Sequence, residues 1–357
     1  MKKHTSPLTI GVDVSDKESQ FCFLDANGDI VREGKYRTDQ LGVRKALAKV
    51  PPSRIVLEAG VHSPWMSELL GELGHEVIVA DPRRLKLISG SISKNDRNDA
   101  EMLARLGRSD LKLLKPVQHR SRDAQASLRL VKVREALVKS RTQFVNAVRG
   151  LAKAEGERIR KCATERFHVV ARECLSPQIT KDVEPLLSAI EELSGRIRDQ
   201  DKALESLAER YPDSKLLDEV YGVGTVTSLA FILTLDDKTR FKSSRSVGPY
   251  LGLVPRQDQS GDTNKQLHIT KAGDRQLRAL LVGAAQTILR RNAPDSDLKR
   301  WGAKLASRGG KNAKRRAVTA VARKLGVLLH RLWVTGEVYD PLYNTRKKGA
   351  LMRETSR

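Results

Sequence analysis

A change in hydrophobic period near residue 118 most restricts what this chain can fold into. After it, Leu130, Leu137, Phe144 and Leu151 recur every seven residues within a face rich in Arg and Lys. Leu186, Ile190, Leu193, Ile197, Leu204 and Leu207 then keep a three–four spacing, with Gln200 in one apolar place. Both spacings predict long helices that bury a stripe against another helix. The pattern fits a hairpin within one chain and pairing between subunits equally. The segment between them, AEGERIRKCATERFH, is highly charged and reads as a mobile connection.

Before residue 118 the apolar runs are short. LTIGVDV, QFCFLD and IVREGKYRT read as three strands, and DANGD between the second and third has hairpin chemistry. A helix follows near LGVRKALAKV, then a strand at RIVLEAG, a helix opened by Ser63-Pro64, and a strand HEVIVADP stopped by Pro82. A meander followed by alternating strand and helix predicts an α/β domain around a mixed sheet. The reading divides the chain into an α/β domain at 6–115, a helical linker at 116–210, a mainly helical domain at 211–345 and a basic tail at 346–357.

Lys and Arg number 66 against 43 Asp and Glu, a net charge of +23. A surplus of that size favours a polyanionic partner, nucleic acid first and an anionic membrane surface second. No stretch approaches about 18 consecutive apolar residues, so no membrane-spanning helix is expected. The N-terminal run reaches Asp13 before any signal-length apolar segment, and Cys22, Cys162 and Cys174 lack zinc-ligand spacing. These features predict a cytoplasmic, nucleoid-associated protein with reduced thiols. Aromatic residues make up only 4% of the chain, too few for a single-strand stacking platform, so contacts should run from Lys and Arg to phosphates.

Inside this basic chain, SKNDRNDAEMLA sets Asp96 and Asp99 three residues apart, on one face at a helix start. An N-terminal cap with a carboxylate one turn later explains such a pair, and so does a metal site. Asp13 ends one apolar strand and Glu58 another, where a charge is costly unless paired or liganded. Ligand sites of open α/β sheets form at carboxyl strand ends, so the four acids could converge there. An oxygen-rich set of that kind suits Mg²⁺ or Mn²⁺ and phosphoryl transfer. The flanking Lys94 and Arg97 would face DNA phosphate.

GVDVSD, VLEAG and NDRNDAEMLARL resemble the motifs of the DEDD transposases of the insertion-sequence one-ten family. The resemblance implies a RuvC-like domain of the ribonuclease H fold, with Asp13, Glu58, Asp96 and Asp99 as its acidic set. EAGVH departs from the EATG common in relatives and leaves Glu58 in place. The resemblance covers nearly the whole chain.

In the C-terminal domain, GVG at Gly222 to Gly224 resembles a helix-hairpin-helix, whose amides can hold a phosphate; a plain packing turn fits equally well. RQDQSGDTNKQLHITKAGDRQLR places Lys265, His268, Lys271, Arg275 and Arg278 on a basic loop and helix. These cations suit nucleic-acid phosphates, or merely a solvated face. On its residues alone, Ser260-Gly261 reads as a turn. The family resemblance makes Ser260 the nucleophile of a covalent phosphoserine step, with DNA junction, donor and target as substrates. It also implies a noncoding bridge RNA as guide. A homodimer or homotetramer is expected, and with the α/β and serine domains joined by long helices the acids and the serine could come from different subunits. The competing readings are a metal-dependent junction nuclease that uses water, and a nonenzymatic nucleic-acid scaffold.

Overall fold

The computed structural model describes residues 8–82, 85, 95–260 and 263–347, apart from the side chains of 258, 260 and 263–266. Lys94 and the tail beyond 347 lie outside the described residues. The chain divides into two compact units, Met1–His119 and Arg120–Arg357.

In the first unit, β1 (Thr9–Asp13), β2 (Glu18–Leu24) and β3 (Ile30–Arg37) form the expected meander. The DANGD turn is held by Asp25, whose Oδ1 accepts from the amides of Asn27, Gly28 and Asp29 at 2.8–2.9 Å. Helix α1 (Gln40–Leu47) follows, capped by Asp39, which accepts from Gly42 at 2.7 Å. Strand β4 (Arg54–Glu58), helix α2 (Ser63–Glu72) and strand β5 (Glu76–Ala80) complete a sheet of order β3-β2-β1-β4-β5. The pairs β3-β2 and β2-β1 are antiparallel, and β1-β4 and β4-β5 are parallel. Helix α3 (Asp96–Arg108) closes the second face.

Strand alternation divides the core between those faces. Ile10, Val12, Phe21, Phe23, Ile55 and Leu57 pack with Val43 and Leu47 of α1 and Met66 and Leu70 of α2. Cys22 and Leu24 pack with Ala100 and Ala104 of α3, and Val56 with its Leu103. Burial pushes the Cys22 thiol up to about 11, too high for a ready nucleophile. This helix-covered mixed sheet is consistent with a ribonuclease H-like fold.

The second unit begins with α4 (Arg122–Ala154), followed by α5 (Phe167–Cys174) and α6 (Pro177–Glu209). Helices α4 and α6 run antiparallel. Ala124, Leu128 and Val131 at the start of α4 share a core with Leu204, Leu207 and Ala208 at the end of α6. Val148 and Ala152 meet Val183, Leu187 and Ile190 at the other end. Within this chain the long helices therefore form a hairpin.

Two expectations change here. The buried residues of α4 are Ala124, Ser127, Leu128, Val131, Arg141, Val148 and Ala152, while Leu151 of the seven-residue row is 52% exposed. Small side chains and one ion-paired Arg141 fill the close helix contact, and that arginine donates to Ser194 Oγ at 3.1 Å. The charged connection is also structured: its Ile159 and Phe167 are buried against the far end of the hairpin.

Beyond the hairpin, α7 (Asp213–Asp218) and α8 (Thr225–Leu235) are joined through the GVG turn. Every residue of α8 from Thr227 to Leu235 is buried, as expected of a central helix apolar on all sides. Strands β6 (Pro255–Ser260) and β7 (Thr263–Ile269) pair as an antiparallel ribbon, an addition to the mainly helical expectation. Helices α9 (Arg275–Ile288), α10 (Asp297–Ala306) and α11 (Ala313–Thr335) complete the unit. The core joining α4 and α6 to α8, α9 and α11 crosses the expected division near residue 210. No described helix is long and apolar enough to cross a membrane.

Among the described residues, each unit buries one imidazole. His75 Nδ1 accepts from the Ser53 amide at 3.1 Å; His330 bonds the Ser244 hydroxyl at 2.9 Å and the Lys238 carbonyl at 3.1 Å. Burial holds both below the ordinary value of 6.5. The folded protein thus resists a proton that the unfolded chain accepts. Stability should be constant above neutrality and fall as the pH drops below about 6.5. Melting curves across that range should show this acid limb, and a His75→Gln, His330→Gln double variant should flatten it.

Candidate active site

The four acidic residues can be placed from the strand register. Val12 pairs with Leu57 across the parallel β1-β4 ladder, so Asp13 and Glu58, each one residue further on, end neighbouring strands. Both point to the face covered by α3. A Cβ on Gly11, two residues before Asp13, would lie 1.9 Å from the Ala100 carbonyl, and Val56, two before Glu58, touches Gly107 of α3. Gly107 lies over Thr9 and Ala100 over Gly11, so α3 runs antiparallel to β1. Its first turn, carrying Asp96 and Asp99, therefore comes to the strand end that carries Asp13 and Glu58.

Capping does not account for the aspartate pair. The cap of α3 is Asn95, whose side chain accepts from the Arg97 amide at 3.0 Å. Asp96 and Asp99 occupy the first and fourth helical positions, where the peptide dipoles still favour negative charge. Asp96 lies 3.6 Å from Lys35 Nζ, both side chains more than half exposed. Arg97, expected to face phosphate, is held instead by Glu33, with Nε to Oε1 at 2.8 Å.

Several neighbours were not anticipated from the sequence. Gln20 is buried, opposite Asp13 in the β1-β2 register, and Lys35 stands opposite Gln20 on β3. Gln20, Cys22 and Leu24 share one face of β2, so the polar member of an otherwise apolar row was the available signal. His62, in the loop after β4, lies 3.2 Å from Asp16 after β1 and accepts from Trp65 Nε1 at 3.2 Å. The departing EAGVH motif thus brings an imidazole to the same end of the sheet.

The donor chemistry fits a hard divalent cation, since all four groups are carboxylates at one edge of one face. Among the described residues, no three His, Cys, Asp or Glu side chains are gathered closely enough to hold a metal ion. The backbone thus brings the acids to one region, while their oxygens are not drawn together.

The cations of the second unit take different positions. Lys265 and His268 lie on β7, with Lys265 opposite Asp258 in register, so the expected loop is a strand. Ser260 is the last residue of β6 and pairs with Thr263; its side chain lies outside the description. Lys271 is exposed and left-handed, at φ 54, in the TKAG turn that closes over Gly252. A Cβ on Gly252 would approach the Ala272 amide to 2.1 Å, so that turn tolerates only glycine. Arg275 is exposed in the first turn of α9. Arg278 donates to the Leu251 and Ala272 carbonyls at 3.1 and 2.6 Å and braces the same turn.

The two glycines of the GVG turn differ. Gly222 is left-handed at φ 87, and a Cβ there would meet the Ala284 carbonyl of α9 at 3.0 Å, which makes it a packing turn. Gly224 faces open space and caps α8 without a side-chain bond. Asp218 already stands at that helix start, accepting from the Thr225 hydroxyl at 3.4 Å, and burial holds its carboxyl above the usual range. A phosphate approaching there would have to share the space with Asp218.

Comparison with known proteins agrees with the motifs. A transposase model of the DEDD type matches residues 10–154, and the model of the transposase IS116/IS110/IS902 family matches 214–300. The transposase for insertion sequence element IS1111A of Coxiella burnetii is 30% identical over 92% of this chain and 90% of its own length. The transposase for insertion sequence element IS1328 of Yersinia enterocolitica is 28% identical over 79% of this chain and 84% of its own. With its acidic face in the first matched region and the β6-β7 ribbon in the second, this chain belongs to the IS110 family of insertion-sequence transposases, enzymes that cut and rejoin DNA.

Proposed function

We propose that this transposase exchanges strands through a covalent intermediate on Ser260, with Asp13, Glu58, Asp96 and Asp99 as its divalent-metal ligands. The observation that carries the reading is the convergence of two strand ends and the α3 start on one face of the sheet. In the cutting step, Ser260 Oγ bonds to the scissile phosphorus as the bond to the 3′ oxygen breaks. The serine loses its proton and the departing oxygen gains one. A 3′ hydroxyl from a second strand reverses the exchange and restores the serine, so joining needs no ATP. A bound Mg²⁺ or Mn²⁺ would supply Lewis acidity and offset charge on the phosphate.

Lys265, His268, Lys271 and Arg275 would hold the DNA backbone near the ribbon. Gly224 would offer amides, while Gly222 and Arg278 would keep the turns in shape. Family membership is the support for a bridge RNA as guide and for assembly as a homodimer or homotetramer in the nucleoid.

The test is an adduct assay with purified protein, Mg²⁺, RNA transcribed from the flank of its gene and labelled junction DNA. Label should travel with protein on denaturing gels, and both Ser260→Ala and Asp99→Ala should lose that band. Cleavage without an adduct, unaffected by Ser260→Ala, would establish a water-using nuclease instead.

A further inference from the structure

Between Asp297 and Glu337 the chain has no acidic residue. Within that interval Lys304, Arg308, Lys311, Lys314, Arg315 and Arg316 crowd the corner where α10 ends and α11 begins, and all six are exposed. No ion pair among the described residues includes any of them, although some exposed arginines elsewhere, such as Arg196 with Glu192, are paired. Lys314, Arg315 and Arg316 also stand in the first turn of α11, where the peptide dipoles disfavour cations. Ala313 and Ala317 of that turn pack inward, leaving the three cations on the solvent side.

The corner bends through Gly309 and Gly310, left-handed at φ 75 and 89. A Cβ on Gly309 would meet nothing within 4 Å, so bare backbone lies between the cations of the two helices. Uncompensated positive charge raises the free energy of the unbound protein, and a polyanion relieves it. No Phe, Tyr or Trp occurs from residue 302 to 332, which suits a duplex backbone better than stacked single-stranded bases.

We propose that this corner is a second DNA contact, a sequence-independent clamp on the phosphodiester backbone of duplex DNA. It uses residues other than those of the β6-β7 ribbon. The proposal rests on the family's action on DNA and on neither the serine nor the metal chemistry.

The test compares full-length Lys314→Gln, Arg315→Gln, Arg316→Gln protein with the parent. Affinity for a short duplex of arbitrary sequence is measured over a range of salt, without divalent metal. Each lost phosphate contact should flatten the slope of log affinity against log salt by about 0.9, so the triple variant should lose about 3. At physiological salt its affinity should fall about tenfold or more. A control with equal charge loss, Arg44→Gln, Lys45→Gln, Lys49→Gln, alters exposed positions on or beside α1 in the other unit and should keep the parental slope. An equal effect in both triples, an unchanged slope in the corner triple, or a loss confined to a hairpin RNA would each overturn the proposal. Because no strand is cut, failure here is distinct from failure of the adduct assay.

Discussion

Asp13→Asn should yield a folded protein that binds DNA and scarcely cuts it, with a strand-cleavage rate about 10³-fold below the parent. Asparagine keeps the volume and hydrogen-bonding reach of the side chain and removes only its charge. The surrounding strand is secured independently of that charge, since Ile10 and Val12 are fully buried and β1 is paired on both sides. Melting temperature and duplex affinity should therefore stay near parental values while cleavage collapses. Cleavage within tenfold of the parent would remove Asp13 from the acidic set, and a matching loss of melting temperature would reassign it to structure.

Gly11→Val should do the opposite, disabling the enzyme by unfolding its sheet–helix contact. A Cβ on Gly11 would sit 1.9 Å from the Ala100 carbonyl and 2.5 Å from the Ala104 amide, both backbone atoms that cannot rotate away. Helix α3 would have to lift from β1, carrying Asp96 and Asp99 with it. Overpacking of this kind costs about 3 kcal/mol, and backbone opposition puts this site at the upper end. Thermal or urea unfolding should reveal the loss. Gly71→Ala makes a useful control, since its Cβ meets nothing within 4 Å and alanine suits a helix. A Gly11→Val protein with parental stability would show that α3 does not rest on β1 as described.

The first unit was largely legible in the chain. Its strands alternate or run apolar, Asp25 and Gly28 mark the hairpin, and Pro64 opens α2. The acidic motifs pointed to strand ends and a helix start, but which face each acid shares depends on pairing. Gly11 and Gly107, small enough for α3 to lie close, carry that information only once the strands are assembled.

The second unit was harder to read. Seven-residue spacing drew attention to large apolar side chains, whereas the α4-α6 contact is built from Ala124, Ala152, Ser194 and Arg141, which carry little hydrophobic signal. The β6-β7 ribbon escaped because PRQDQS and TNKQLHI lack apolar alternation. Basic residues there drew notice, while the acid-free stretch around α10 and α11 became informative once its exposure and missing partners were visible.

The α4-α6 hairpin has apolar cores at its two ends and polar ties between them, Arg134 to Asp201 and Arg141 to Ser194. Each helix has 33 residues and so spans about 50 Å. A tie of that kind lets whole heptads be added to both helices, or removed from both, while the two cores keep their own packing. Reach is thereby separated from folding: the distance from base to tip can change with little penalty in stability.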